Sequence, residues 1–280
     1  MSRYLDRDLL FFDGAMGTML QKSGLEPGER SDIMNLRLPD AVAAIHRAYR
    51  EAGSDILCTN TFGANSRALA PTGHSVREIV EAGVKIAKTA APGALVALDV
   101  GPIGEFMEPY GELTPEHAYS MFREQIEIGA AAGADIVAIE TMSDVTELAA
   151  AVRAARDACE LPIFATMTFD KSGRTYTGAS PADFVRALEG LGAAAIGVNC
   201  SLLPREVFPV FRELSELTAL PLISKPNAGL PGGDGSYAVT PEEFAAQMGA
   251  FVDSGAAIIG ACCGSDPEFI RELKKAYGGK

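Results

Sequence analysis

The chain has 280 residues, a usual size for a single α/β barrel domain and ample for a large core. Its 48% hydrophobic and 22% charged content is ordinary for a globular protein. The formal net charge of −13 comes without clustered Lys and Arg, so nucleic acid is not expected as a partner. The apolar patch near the N-terminus is interrupted by Asp13, too early for a signal-peptide core. No later apolar run reaches the length of a membrane span, and the expectation is a cytoplasmic protein without a membrane partner.

Eight short apolar runs recur along the chain. LLFFDGAMG starts at Leu9, DILCTNTFG at Asp55, LVALDVGP at Leu95 and DIVAIETM at Asp135. PIFATMTF starts at Pro162, AAIGVNC at Ala194, PLISKPNAG at Pro221 and AAIIGACCG at Ala256. Unbroken Val/Ile/Leu/Ala runs suit parallel strands buried on both faces. Helical segments separate them. Leu38 to Gly53 opens on Pro39 and stops on glycine; Thr114 to Gly133 opens on Thr-Pro-Glu; Ser180 and Thr240 start two more in the same way. Eight alternations without a linker predict one (β/α)8 barrel (TIM barrel) over residues 1–280, with a doubly wound open sheet as the alternative. GLPGGDGSYAV, from Gly229 to Val239, reads as a rim loop after the seventh strand.

In such barrels the active site lies at the C-terminal ends of the strands. Reading the last residues of each run collects Asp13 to Gly17, Asn60-Thr61, Asp99, Glu140-Thr141, Asn199-Cys200, Pro226-Asn227 and Cys262-Cys263 on one rim. Five cysteines that include a vicinal pair make a poor disulfide framework. Cys58 and Cys159 read as small buried hydrophobes. Cys200, Cys262 and Cys263 fall at the ends of strands six and eight, where they are either buried hydrophobes like the others or, as a trio at one rim, ligands of one Zn2+ with an open fourth position. Three thiolates leave the zinc unit with a net negative charge, which favours binding and ionising a substrate thiol over activating water. The expected reaction is S-alkylation.

The acids fit an amino-acid thiol. Asp13 and Glu140 are placed to hold an α-ammonium group, or act as a helix cap and a loop ion pair. The backbone N–H groups of Gly14, Ala15, Met16 and Gly17 suit an α-carboxylate. Asn227 is either a weak fourth zinc ligand in the absence of substrate or only a turn former in PNAGLP.

At these residues the sequence resembles the homocysteine S-methyltransferase family, and most of all the N-terminal homocysteine-binding module of the cobalamin-dependent methionine synthases. The matching pieces are FFDGAMGTMLQ, ILCTNTFGAN, IVAIETMSD, IGVNCS, KPNAGLP and IGACCG, in family order along the whole chain. The resemblance implies zinc on Cys200, Cys262 and Cys263, homocysteine on Asp13, Glu140 and the Gly14 to Gly17 loop, and methionine as product. Lys225 departs from the pattern, since relatives often carry an aromatic residue there, and the departure is expected to bear on the donor-facing rim. The donor is expected to be methylcobalamin carried by a partner corrinoid protein or domain. S-methylmethionine, S-adenosylmethionine or betaine are the direct alternatives, and a non-catalytic zinc or homocysteine sensor is another. A lyase or aldolase using Glu140 or Lys225 as base or Schiff-base amine is the competing enzyme class.

Overall fold

A computed structural model of the chain describes residues 9–26, 28–200, 202–229 and 239–279. Most of the expected rim loop, residues 230–238, lies outside the described residues. The eight apolar runs each form a strand: β1 (Leu10–Phe11), β2 (Ile56–Cys58), β3 (Leu95–Val100), β4 (Ile136–Met142), β5 (Ile163–Met167), β6 (Ala195–Cys200), β7 (Leu222–Pro226) and β8 (Ala256–Ile259). All pairings are parallel, in the order β1-β8-β7-β6-β5-β4-β3-β2. The two ends of that order meet through a bridge between Phe12 and Ile56. Around it the Asp13 N–H donates to the Ile56 carbonyl at 3.0 Å and the Asp55 N–H to the Phe11 carbonyl at 2.8 Å. The sheet is therefore a closed (β/α)8 barrel, and the open doubly wound alternative is excluded.

The helices start and stop where local chemistry dictates. Thr114 accepts from the His117 N–H and begins Pro115–Ala131; Ser180 and Thr240 form capping boxes with Asp183 and Glu243. Pro39–Ala52 ends at Gly53, whose φ of 111° is open to glycine at little cost. Among the described residues no helix is long and apolar enough to cross a membrane.

Side chains on a strand alternate between two cores. One parity faces the helices. The other fills the barrel with Leu10, Phe12, Ile56, Ala97, Ile136, Ala138, Phe164, Ala195, Ile223 and Ile258. Phe12 and Phe164 meet edge to face across this interior, with centroids 6.2 Å apart. Two residues further along five of the strands the same parity turns polar: Cys58 after Ile56, Asp99 after Ala97, Glu140 after Ala138, Thr166 after Phe164 and Lys225 after Ile223. The barrel is thus dry below and charged above.

Crowding fixes one position in particular. A Cβ on Gly197 in β6 would lie 1.9 Å from the Ile223 carbonyl oxygen of β7, and neither backbone can yield without breaking the β6–β7 ladder. Gly197→Ala is expected to destabilise the barrel by about 1–3 kcal/mol, as overpacking does elsewhere. Denaturant unfolding of the purified variant checks this; an unchanged midpoint would mean that the two strands slide apart freely.

Candidate metal centre

Cys200 ends β6, and Cys262 and Cys263 follow β8. Their three sulfurs all lie within 4.8 Å of one another, and Cys200 Sγ and Cys263 Sγ are 3.9 Å apart. A tetrahedral zinc with bonds of about 2.3 Å spaces its sulfurs about 3.8 Å apart, so the trio has room for one such ion. Crowding drives the Cys263 pKa up to about 11 and that of Cys262 well above the usual thiol value, chiefly through contact with Cys200. Each new thiolate repels the next, and a cation between them would relieve that repulsion.

The end of β7 locks the two cysteine segments together. The Cys262 N–H donates to the Pro226 carbonyl at 2.9 Å, the Ala228 N–H to the Cys263 carbonyl at 2.9 Å, and the Asn227 N–H to the Leu202 carbonyl at 3.0 Å. Asn227 thus sits between the sequence neighbours of all three cysteines, and its Oδ1 is buried without a hydrogen-bond partner among the described residues. A neutral amide oxygen with no donor suits a weak, replaceable metal ligand.

Cys200 has φ of 59°, in the left-handed region that non-glycine residues avoid. Thr141, immediately after Glu140, has φ of 63°, a still less favourable state for a β-branched residue. Asn199 pins both sites. Its Oδ1 accepts from the Thr141 N–H and the Thr166 hydroxyl, each at 2.8 Å, and its Nδ2 donates to the Thr141 hydroxyl at 2.7 Å. The residue beside the first cysteine therefore holds the turn beside Glu140, and such strain clusters where geometry serves a site.

Beneath the cysteines lies a buried polar pocket. One Asp13 carboxylate oxygen accepts from the Cys58 N–H at 2.9 Å and the other has no partner among the described residues. One Asp99 oxygen is likewise unpartnered. Burial pushes the Asp13 carboxyl up to about 7, against the pull of the Lys225 ammonium and the Cys58 N–H. Burial, reinforced by Glu140, holds Asp99 well above the carboxylate range. Orphaned buried acceptors of this kind suit a donor brought by a ligand.

Two expectations change. Glu140, expected to await an ammonium, is already ion-paired with Lys225. Lys225 itself, expected at the donor-facing rim, points into the barrel: its ammonium is 3.5 Å from Cys58 Sγ and 4.3 Å from the Phe12 ring centroid. Strand parity is the reason, since Lys225 lies two residues beyond the interior Ile223. Burial disfavours its charge, but Cys58, Glu140, Asp13 and Asp99 outweigh burial and keep it protonated. That is the reverse of what a Schiff-base lysine needs, so the aldolase alternative loses its nucleophile.

The glycine-rich loop after β1 is also partly engaged. The Ala15 N–H donates to Ser265 Oγ at 3.0 Å, which leaves Gly14, Met16 and Gly17 as the donors of the expected four. A Cβ on Gly14 would lie 2.4 Å from that Ser265 oxygen and 2.9 Å from the Tyr49 hydroxyl, so glycine is what lets this loop seat against the loop after β8. Reading the strand ends gathers Asp99 and Asn199 at the rim without a role and sets Lys225 toward the donor; Ser265 is the contributor it does not single out. For Asp99, Asn199 and Lys225 the signal is a polar residue at the interior parity of its strand; Ser265, past β8, carries no such signal.

Three thiols converging on the C-terminal rim of a (β/α)8 barrel define a barrel with a sulfur-rich cluster that could hold a metal ion, beside a group of buried acids. The chain belongs to the homocysteine S-methyltransferase family, whose model matches residues 10–277. It is 33% identical over 288 residues to a methionine synthase of Mycobacterium leprae, covering 94% of this chain and 24% of that protein. A methionine synthase of Mycobacterium tuberculosis is 32% identical, with 97% and 25% covered. The chain thus spans about a quarter of the length of these curated relatives. Among solved structures, the metallated form of the homocysteine methyltransferase MmuM from Escherichia coli superposes with a TM-score of 0.85 at 25% identity, covering 98% of this chain and 99% of that one. Its oxidized form gives 0.84 at 26% identity, with 97% of each covered.

The buried acids give the substrate-free protein a defined pH response. Asp13 has a folded pKa of about 7 against about 3.9 unfolded, so the folded chain binds the extra proton between them. The stability this group contributes is full below about pH 4 and is lost as pH rises through about 7. Asp13→Asn keeps an acceptor for the Cys58 N–H and should flatten that decline in a denaturant series across the range. An identical slope in wild type and variant would mean that Asp13 is ionised throughout.

Proposed function

We propose that this barrel transfers a methyl group to the thiol of homocysteine, giving methionine, with one Zn2+ held by Cys200, Cys262 and Cys263. The observation that carries the reading is the convergence of those three sulfurs, with room for one tetrahedral ion, at the rim where barrels place their chemistry. Zinc, when bound, supplies a Lewis acid that lowers the pKa of an incoming thiol while leaving the sulfur nucleophilic. Residues 1–280 act together as the homocysteine-binding unit.

The remaining work falls to the chain. Asn227 Oδ1, buried without a hydrogen-bond partner among the described residues, would be the chain's fourth donor to a bound zinc. Asp13, with its unpartnered oxygen, and Glu140 receive the α-ammonium; the N–H groups of Gly14, Met16 and Gly17 face the α-carboxylate. With both ends of the amino acid held, the sulfur is aimed at the rim. Its lone pair forms the new S–CH3 bond as the donor's bond to that methyl breaks, the pair leaving with the donor. The thiol proton has gone to solvent beforehand.

The donor in this reading is methylcobalamin carried by a partner corrinoid protein or domain. The rim gives it a surface: Phe106 and Tyr176 stack with centroids 5.8 Å apart on the segments after β3 and β5, and with Tyr110 they stand exposed. Exposed aromatic clusters of this kind suit docking of a large partner.

Purified protein is expected to hold about one zinc per chain, and alanine at Cys200, Cys262 or Cys263 to remove metal and methyl transfer together. Chelated protein should keep its helical circular dichroism, because the barrel has its own core. Assay of the zinc form with homocysteine against methylcobalamin, S-methylmethionine, S-adenosylmethionine and betaine tests the donor. Full zinc content in a Cys262→Ala/Cys263→Ala double variant would remove the metal site from the proposal.

Ammonium recognition is better tested at Asp13 than at Glu140, because Glu140→Gln also strands the buried Lys225 charge. Asp13→Asn is expected to weaken homocysteine binding about ten- to a hundred-fold, the worth of one charge-assisted hydrogen bond, at unchanged zinc content. Calorimetric titration of the zinc-loaded variant measures it. An unaltered affinity would place the ammonium elsewhere.

A further inference from the structure

The buried pocket holds three carboxylates, Asp13, Asp99 and Glu140, around a single ammonium, that of Lys225. Lys225 is 4% exposed, and its charge is spent on Glu140. One oxygen each of Asp13 and Asp99 is buried without a partner among the described residues. The fold makes space for this lysine. A Cβ on Gly260, just past β8, would come 3.3 Å from Lys225 Cγ and 2.7 Å from Phe12 Cβ, so glycine there leaves a channel for the lysine stem. The Phe12 ring lies under the ammonium and Cys58 beside it. These contacts steer a long, rotatable chain to one carboxylate while leaving two others within its electrostatic reach.

We propose that Lys225 is an internal counter-cation that stands in for the substrate's α-ammonium on Glu140, and that it holds down the affinity for amino-acid thiols because they must displace it. The inference rests on the reading of this pocket as the amino-acid site. In the substrate-free protein the ion pair prevents Glu140 from standing as an uncompensated buried charge. When an amino-acid thiol binds, its ammonium takes the Glu140 and Asp13 oxygens, and the lysine side chain turns to the unpartnered oxygen of Asp99. The second cation lets the Asp99 carboxyl release its proton to solvent, no other bond changes, and the site ends with two cations among three acidic side chains. A thiol without an ammonium cannot drive the exchange, since nothing it carries would repair the broken Lys225–Glu140 pair. Lys225 is therefore a positioning residue that touches neither zinc nor sulfur.

The test compares homocysteine with 4-mercaptobutanoate, which keeps the thiol and the carboxylate and lacks the amino group. Calorimetric titration of zinc-loaded wild type, Lys225→Met and Lys225→Gln gives the ratio of the two affinities. Removing the internal competitor should tighten homocysteine about ten- to a hundred-fold, the range for one charge-assisted contact, and leave 4-mercaptobutanoate unchanged. Weakening of both ligands would show that Lys225 holds the substrate carboxylate and would overturn the proposal, as would an unchanged ratio in both variants. Should neither variant fold, the wild-type protein still decides the matter. A crystal structure with homocysteine should show the Lys225 ammonium parted from Glu140 and paired with Asp99, and an intact Lys225–Glu140 pair in that complex would refute the exchange. If wild type binds zinc but not homocysteine, the amino-acid reading fails first, and that outcome is distinct from an unchanged ratio.

Discussion

Closure of the barrel between Phe12 and Ile56 governs the geometry of everything above it. β1 is only two residues long, yet its pairing to β8 on one side and to the start of β2 on the other completes the ring. Closed parallel strands all end at one rim, and closure converts alternating side chains into an inside and an outside. Asp13, one residue past the bridging Phe12, is thereby carried over the mouth of the barrel to meet the Cys58 N–H. An open sheet would put its β1 and β2 edges apart and leave Asp13 in solvent. The acidic pocket exists because the ring closes.

The cysteines depend on a second-level constraint. β6 and β8 are not neighbours; β7 lies between them. Its last residues reach both sides with backbone hydrogen bonds, to the Leu202 carbonyl on one and to Cys262 and Cys263 on the other. Backbone bonds specify position without a particular side chain, which leaves the side chain of Asn227 available to the centre. The strained φ of Cys200 belongs to the same design. A left-handed residue at the strand end turns the chain sharply enough for the next segment to return toward β7, at a cost of about 1–3 kcal/mol that the Asn199 hydrogen bonds help to offset.

Electrostatics then divides the site into two compartments. Three thiols form a soft, open centre, with Cys263 exposed. Beside it, three acids and one lysine form a buried, hard-donor cluster. Asn199 joins them, touching the Glu140–Thr141 turn with its side chain and Cys200 through the backbone.

Much of this was legible in the sequence. Strand runs, Thr-Pro-Glu helix starts and glycine stops are local: apolar periodicity and cap chemistry act within a few residues, so the eight strands and the Thr114, Ser180 and Thr240 caps could be read directly. The rule that strand ends share a rim then placed Cys200 with Cys262 and Cys263 before any coordinates. What the sequence could not decide is which side chains neutralise one another across the interior. Glu140 and Lys225 are 85 residues apart, and Asp13 and Cys58 are 45 apart. Their pairing depends on register and shear around a closed ring, and on the gap left by Gly260, all of which are long-range properties of packing. The amino-acid sequence determined the barrel and the sulfur cluster; only tertiary structure decided that the Glu140 carboxylate is paired with Lys225, because a buried charge must find its partner in space rather than along the chain.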